Sequence, residues 1–499
     1  MKAFNTDAAC DPSVHCIARR SRVLESIKSL VDRNKYIVIN RPRKTGKSTA
    51  LLLLGGILQP EYSYLSICIG LLPPDSFASA SCLCPRLHAL MSEAMNGDTG
   101  ISRQAAEEFK AASAPDLDSL FSAIFKLCAS NGKRIVLAVD EYDSACASQA
   151  FLDFMDALWG CHLYFNQGTF VSVILSGLKD ARILAPGQSK AQDKPWGQAA
   201  EFDQDMSFSR SDIAELTAGH ELQPDIADLL MEYTCGHPYL VSKLCSLMAK
   251  KASPPWNREN FIRAVTKIAR SSSILISSMK SLAEENVELK RLLHRLLFSG
   301  EDIGMSSVSL KTVDQALLHG FLKVTPDNRI AVSNRIFETC LCDTLMQDGQ
   351  SFDDLAKQDQ KDSKSLNVQK LLKKFASHFS KAFRARDKAS LESQARRIFL
   401  TYLKPALGKK GTYYVDAKTR TPTRSHVIVD ICDKQYIIEL KITPSTRNGA
   451  DGVVEFSDYL GKHSADHGYF VLFAIKPANT GKFMKDVEIN GKKISIFIA

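Results

Sequence analysis

Tyr36-Ile-Val-Ile-Asn-Arg41-Pro-Arg-Lys-Thr-Gly46-Lys47-Ser48-Thr49-Ala50-Leu-Leu-Leu-Leu54 is the stretch on which the fold of this chain turns. A β-branched apolar run enters a short polar loop and leaves through a leucine-rich helical segment. Strand, loop and helix in that order form a phosphate-binding loop, where backbone N–H groups and the helix N-terminus face the phosphates. On this reading Lys47 reaches the β- and γ-phosphates, the Ser48 hydroxyl joins the Mg²⁺ shell, and Arg43, Thr45, Gly46 and Thr49 complete the nucleotide-binding set. The pattern G-x-x-x-x-G-K-[ST] asks for glycine where the chain has Arg41. A bare Gly-Lys-Ser also occurs in ordinary strand-to-helix turns.

A second stretch strengthens the first. Arg134-Ile-Val-Leu-Ala-Val-Asp140-Glu141-Tyr142-Asp143 is a continuous apolar run ending in acids, as a buried parallel strand would be. Asp140 at its carboxyl end can orient a Mg²⁺ shell, and Glu141 can polarise an attacking water. Gly168 to Gly177 reads as a further buried strand ending in Ser176, a candidate γ-phosphate sensor. Strands alternating with helices predict a parallel α/β sheet with ligand at the strands' carboxyl ends.

At 499 residues the chain is too long for one core, so two to four domains are expected. Its 45% hydrophobic and 24% charged residues indicate a globular protein rather than a disordered one. The 13 cysteines show neither disulfide-framework nor zinc spacing; Cys82/Cys84 and Cys340/Cys342 lack C-x-x-C partners. Reduced thiols follow, and with them a reducing compartment. Met1 to Cys16 has no apolar signal region, and residues 50 to 58 are too short to span a bilayer. The expectation is an intracellular protein, cytoplasmic or nuclear, with no membrane partner.

Residues 17 to 33 place Val23, Ile27, Leu30 and Val31 on one helical face. Tyr62 to Ile69 reads as a strand, Phe77 to Ala114 as mostly helix, and Asp116 to Cys128 as an amphipathic helix. From about residue 208 strand signals stop and short helices follow, with Gly236-His237-Pro238 at a turn. Gly320 to Ser333 reads as a hairpin with Pro-Asp-Asn at its turn, and helices before such a hairpin suggest a winged helix. The polar residues 346 to 368 form the clearest linker. The expected domains are an ATPase core (1–205), a helical lid with winged helix (206–345), a linker (346–370) and a C-terminal domain (371–499).

Arg41-Pro-Arg-Lys-Thr-Gly-Lys-Ser, Val139-Asp-Glu-Tyr-Asp143, Gly236-His-Pro-Tyr-Leu240 and Asn334-Arg-Ile-Phe337 together resemble the bacterial AAA-like and STAND-type ATPases. In that group a Pro-Arg-x-x-Gly-Lys loop replaces the glycine-rich form. The resemblance implies ATP and Mg²⁺ as cofactors, nucleotide chemistry at Lys47, Ser48, Asp140 and Glu141, and Gly236-His-Pro on a lid. It assigns no arginine finger.

Between residues 361 and 420 sixteen Lys/Arg face four Asp/Glu, 16 − 4 = +12, more than the whole formal excess of +9. With Phe375, Phe379, Phe383, Phe399, Tyr402, Tyr413 and Tyr414 interleaved, this favours an anionic partner over a solvated helix face, nucleic acid first (DNA before RNA) and an acidic protein surface second. Beyond it, Ser425 to Ile442 reads as two strands joined by a turn, the second carrying Glu439 and Lys441 on one face. A carboxylate able to hold a divalent metal beside an ammonium that can activate water suits phosphodiester hydrolysis. Glu392 in the helix Leu391 to Leu403, that hairpin and Tyr436-Ile-Ile-Glu-Leu-Lys441 resemble the PD-(D/E)xK nuclease superfamily, an α/β restriction-endonuclease-like fold. The resemblance implies Glu392 and Glu439 as metal ligands for Mg²⁺ or Mn²⁺ and Lys441 as the catalytic lysine. The family's strand aspartate falls at 439 − 13 = 426, where this chain has His426. Asp430 lies about four residues too far along the strand to replace it, and Asp416 is a third candidate.

The sequence therefore predicts an ATP-hydrolysing AAA-like protein whose nucleotide state is coupled to a nuclease-like domain that binds DNA, with cleavage hanging on His426. The alternative is a STAND-like regulatory or effector protein whose degenerate nuclease-like domain only binds a partner. A third reading is a DNA-binding ATPase that works through the winged helix. Self-association and a protein partner both stay open.

Overall fold

Isoleucine and valine fill strands whose alternate side chains are buried on opposite faces, so both faces of the sheet must be covered. A computed structural model describes residues 2–164, 169–178, 195–251, 256–271, 273–299, 301–346, 367–382, 391–408, 411–416, 426–431, 434–443, 450–463, 465–474 and 483–498. The chain divides into two compact units, Met1–Thr217 with His237–Ser242, and Ala218–Gly236 with Lys243–Ala499.

The first unit runs α1 (Ser21–Asp32), β1 (Ile37–Asn40), α2 (Lys47–Leu58), β2 (Ser63–Cys68), α3 (Ala80–Ala94), α4 (Arg103–Ala111), α5 (Leu117–Ser130), β3 (Ile135–Asp140), α6 (Gln149–Tyr164), β4 (Ser172–Gly177), β5 (Ala200–Glu201) and α7 (Arg210–Thr217). Its sheet has the order β2-β3-β4-β1-β5, parallel throughout. Ile37, Ile39, Val136, Ala138 and Ile174 pack with α1 and α2; Val38, Leu137, Val139, Val173 and Leu175 pack with α3 to α6. The period of two thus builds a three-layer sandwich. The helix expected over 77–114 is broken in two, because Gly100 takes φ +67° and Ser102 then caps α4 through the Ala105 N–H. Strand β5 carries no signal of its own: two residues long, it is defined by its partner β1.

The second unit contains α8 (Ile226–Thr234), most of α9 (Pro238–Lys251), α10 (Arg258–Ala269), α11 (Ile274–Glu285), α12 (Val287–His294), a π-helical turn (Arg295–Ser299), α13 (Leu310–Leu318), β6 (Leu322–Val324), β7 (Ile330–Val332) and α14 (Arg335–Leu345). Then follow α15 (Val368–Ala382), α16 (Leu391–Leu407), β8 (Gly411–Asp416), β9 (His426–Ile431), β10 (Lys434–Thr443), α17 (Ala450–Lys462), β11 (His467–Ala474), β12 (Phe483–Ile489) and β13 (Lys492–Ile498). The hairpin β6–β7 is antiparallel, and Asn328 at its turn has φ +58°. The larger sheet is mixed, in the order β12-β13-β11-β10-β9-β8, with β11 parallel to β10 and to β13. Of the expected linker, residues 347–366 lie outside the described residues.

One expectation changes here. Phe375, Phe399, Tyr402, Tyr413 and Tyr414, read in sequence as rings interleaved in a basic surface, are all buried at 3% exposure or less. They are core side chains of α15, α16 and β8, and no base can stack on them; the side chains of Phe379 and Phe383 lie outside the described residues. Among the described residues no helix is long and apolar enough to cross a membrane.

Leu137 lies in β3, between β2 and β4, at 0% exposure. Leu137→Ala should cost about 2–5 kcal/mol of stability, read as a lowered urea midpoint; a cost under about 1 kcal/mol would contradict the assigned core.

Candidate functional site

The carboxyl ends of β1, β3 and β4 carry the candidate nucleotide site. After Asn40 the chain enters the loop, and α2 is preceded by Gly46 at its N-cap, whose φ of +84° admits glycine readily and L side chains only with strain. A Cβ built at Gly46 would lie 2.6 Å from Arg20 Nη1. Helices α3, α4 and α5 are capped by the side chains of Ser79, Ser102 and Asp116, whereas Gly46 gives α2 no side-chain cap. The first-turn N–H groups of α2 are thus free of that competitor for an anion.

Arg41 explains the missing glycine. It is not among the positive-φ residues, so its backbone tolerates a Cβ. Its side chain turns aside, donating from Nε to Gln204 O at 3.2 Å and from Nη1 to Asn40 O at 2.9 Å. Lys47 folds back over the loop, and its Nζ donates to Arg41 O at 2.8 Å and Pro42 O at 3.0 Å. Burial pulls its ammonium down to about 8, against the opposing attraction of Asp140. Thr45 donates from Oγ1 to Pro42 O at 2.8 Å, closing the loop internally. Ser48 is partly exposed in the first turn of α2, and Arg43 is exposed.

Asp140 ends β3 at 7% exposure. Its Oδ1 accepts from Ser176 Oγ at 2.7 Å and from Glu141 N at 3.0 Å. Ser176, the candidate γ-phosphate sensor, is fully buried, and its hydroxyl donates to Asp140. Glu141 takes φ +54°, and its exposed carboxylate receives the Cys68 thiol at 3.8 Å. Asp143 Oδ1 accepts from Leu178 N at 3.1 Å and lies 2.6 Å from where a Cβ on Gly177 would stand.

Two contributors escaped the sequence reading. Arg20, at 3% exposure, donates from Nη1 to Gly46 O at 3.1 Å and from Nη2 to Met206 O, and lies over the Phe208 ring. Desolvation lowers its guanidinium to about 10. A lone arginine between other arginines, Arg19 and Arg22, gives no sequence signal for this role. The amino-terminal segment is the second: Lys44 Nζ donates to Thr6 O and Asp7 O, and Cys10 N to Thr49 Oγ1 at 3.1 Å. Thr49 therefore already has a protein partner.

In the second unit β9 and β10 pair so that His426 faces Glu439 and Asp430 faces Gln435. Asp416 stands opposite His426 on β8, placing residues 416, 426 and 439 in one row across three strands. His426 Nε2 lies 2.7 Å from Glu439 Oε2, outside hydrogen-bond alignment; both residues are 3% exposed, and the His426 Nδ1 has no hydrogen-bond partner among the described residues. The Tyr459 ring stacks on His426 at 3.6 Å between centroids. Lys441 is half-buried, its Nζ directed at Gly452 in the first turn of α17. The side chain of Glu392 lies outside the described residues. Among the described residues no cluster of three His, Cys, Asp or Glu could hold a metal, and the expected ligand set extends beyond those residues, because the side chains of Glu392 and Asp416 are not among them.

No family model matches the chain, and no curated protein matches it significantly. Among solved structures it is similar to a Walker-type ATPase of Pyrococcus abyssi, with TM-score 0.46 and 15% identity over 68% of this chain and 99% of that one. It is also similar to the Aeropyrum pernix ORC2 protein in its ADP form, with TM-score 0.38 and 12% identity over 69% and 97%. A Thermotoga maritima RuvB mutant gives TM-score 0.33 and 12% identity over 66% and 96%. These are remote likenesses, and the chemistry below rests on this chain's own residues.

The lowered Lys47 pKa fixes a pH dependence. Between about 8 and the ordinary 10.5 the unfolded chain carries the proton and the folded protein does not, so Lys47 makes stability rise with pH across that window. A polyanion needs the charged form, so ATP affinity should fall about tenfold from pH 7 to pH 9 in calorimetric titration. Constant affinity across that range would contradict the placement of Lys47 against the phosphates.

Proposed function

We propose that the protein binds and hydrolyses ATP with Mg²⁺ in the loop 41–49, and that nucleotide state governs DNA binding by its nuclease-like C-terminal domain. The observation that carries the nucleotide reading is Asp140, held by Ser176 Oγ and Glu141 N at the carboxyl edge of a parallel sheet in which β1, on the far side of β4, leads into the Lys47 loop. Donors and acceptors there match a metal nucleotide: an uncapped helix start, a buried ammonium, a hydroxyl at Ser48 and a carboxylate kept in place by two hydrogen bonds. Bound Mg²⁺ would supply charge neutralisation between the terminal phosphates.

The chain's own residues do the rest. Lys47 exchanges two neutral carbonyl acceptors for anionic phosphate oxygens, a gain because both donor and acceptor are then charged. Asp140 orients the Ser48 side of the site without having to reorganise. Glu141, turned out by its left-handed backbone, holds a carboxylate where a water proton can be taken. The Cys68 thiol fixes one of its oxygens.

A second reading is favoured for the C-terminal domain by the His426–Glu439 contact. With histidine in the aspartate position, set against the carboxylate and covered by Tyr459, the domain binds a partner without cutting DNA. The two readings share the ATPase and differ only in this domain.

Glu141→Gln should retain ATP affinity and lower turnover at least about 100-fold; wild-type turnover in that variant would remove Glu141 from catalysis. Plasmid and single-stranded DNA incubated with Mg²⁺ or Mn²⁺ separate the two domain readings. Cutting abolished by Glu439→Ala establishes the nuclease, and intact DNA with binding retained establishes the non-cutting domain.

A further inference from the structure

Asp430 has no place in the chemistry proposed above, yet it is fully buried and accepts from three donors. Arg258 Nη2 on α10 lies 2.8 Å from Oδ1, Gln435 Nε2 on β10 lies 3.0 Å from it, and the hydroxyl of Tyr233 on α8 donates to Oδ2. Burial, reinforced by Asp430, pushes the Tyr233 phenol well above its ordinary value, so it is a donor. Two of these partners precede the polar stretch 346–368 and the carboxylate follows it, at separations of 197 and 172 residues.

Three further hydrogen bonds cross the same divide. Thr339 Oγ1 on α14 donates to Tyr413 O on β8 at 2.5 Å, and the Tyr413 hydroxyl returns to Asp343 Oδ1 at 2.7 Å. Arg396 on α16, 2% exposed, donates to Phe298 O in the π-helical turn, where the i→i−4 ladder is already interrupted.

We propose that helices α8 and α10 to α14 and the sheet β8 to β13 form one cooperative body clamped at Asp430, so that the C-terminal domain moves with these helices and never as a tethered, independent module. A buried carboxylate is tolerable only with its donors in place, and a slipped or partial docking would leave Asp430 or Arg258 buried and unpaired. Docking is therefore all-or-none. Its consequence reaches the candidate C-terminal site, because Asp430 and His426 lie on the same strand, β9. Any displacement of α8 and α10 is handed to His426 through four residues of paired backbone. This holds whatever the first unit binds.

Hydrogen exchange on the full chain, followed by mass spectrometry, tests the clamp. In Asp430→Ala the peptides of α8 and α10 and those of β8 and β9 should all exchange faster by one common factor, about tenfold or more. Tyr233→Phe, which keeps the ring and removes only the hydroxyl, should raise all of them by a smaller common factor. Faster exchange confined to β8 and β9, with α8 and α10 at wild-type rates, would overturn the proposal, as would no change in any of the four. Should Asp430→Ala fail to fold, Tyr233→Phe decides by the same criterion.

Discussion

The hydrogen bond from Ser176 Oγ to Asp140 Oδ1 is the contact on which the candidate nucleotide site depends. It joins the ends of β3 and β4 where both leave the sheet, and it takes up the hydroxyl that would otherwise be an orphaned buried donor. With the second bond from Glu141 N, it sets the turn that gives Glu141 its left-handed backbone and points its side chain outward. On the other side of β4, Gly177 O accepts from Arg41 N, so the same strand end steadies the start of the phosphate loop. Lys47, Asp140 and Glu141 are thereby placed by three strands rather than by loop conformation, which is how a site keeps its geometry without a ligand.

The parallel sheet was legible in the sequence because its signal is local. Ile37–Asn40, Ile135–Asp140 and Ser172–Gly177 are short apolar runs ending in polar residues, and that pattern has few other readings. The pairing of His426 with Glu439 could also be read by counting, since a tight hairpin fixes register. Arg20, Thr49 and Asp430 could not. Their roles are set by partners 26, 39 and 197 residues away, and nothing in the neighbouring sequence marks a long-range acceptor. The aromatic residues of 375–414 misled for a related reason: sequence shows rings among lysines, and only the fold shows which face of α15, α16 and β8 is inward.

In the second unit, charge is used for specificity as much as for stability. Asp430 with Arg258 and Tyr233, and Arg335 paired with Glu232 and lying 4.0 Å over the Tyr414 ring, are costly to desolvate and give little net energy compared with packed hydrocarbon. What they provide is a single arrangement of helices against sheet. The buried row at His426 and Glu439 shares that character, a polar pair kept in an apolar setting beneath Tyr459 and Phe456.

On the function proposed above, the loop 41–49 binds a metal nucleotide through Lys47. Calorimetric titration of Mg·ATP onto the full chain and onto Lys47→Ala at neutral pH tests it most directly. A saturable one-site heat is expected for the wild type and none for the variant over the same concentrations. Equal affinity in the two proteins, or no binding to either, would contradict it.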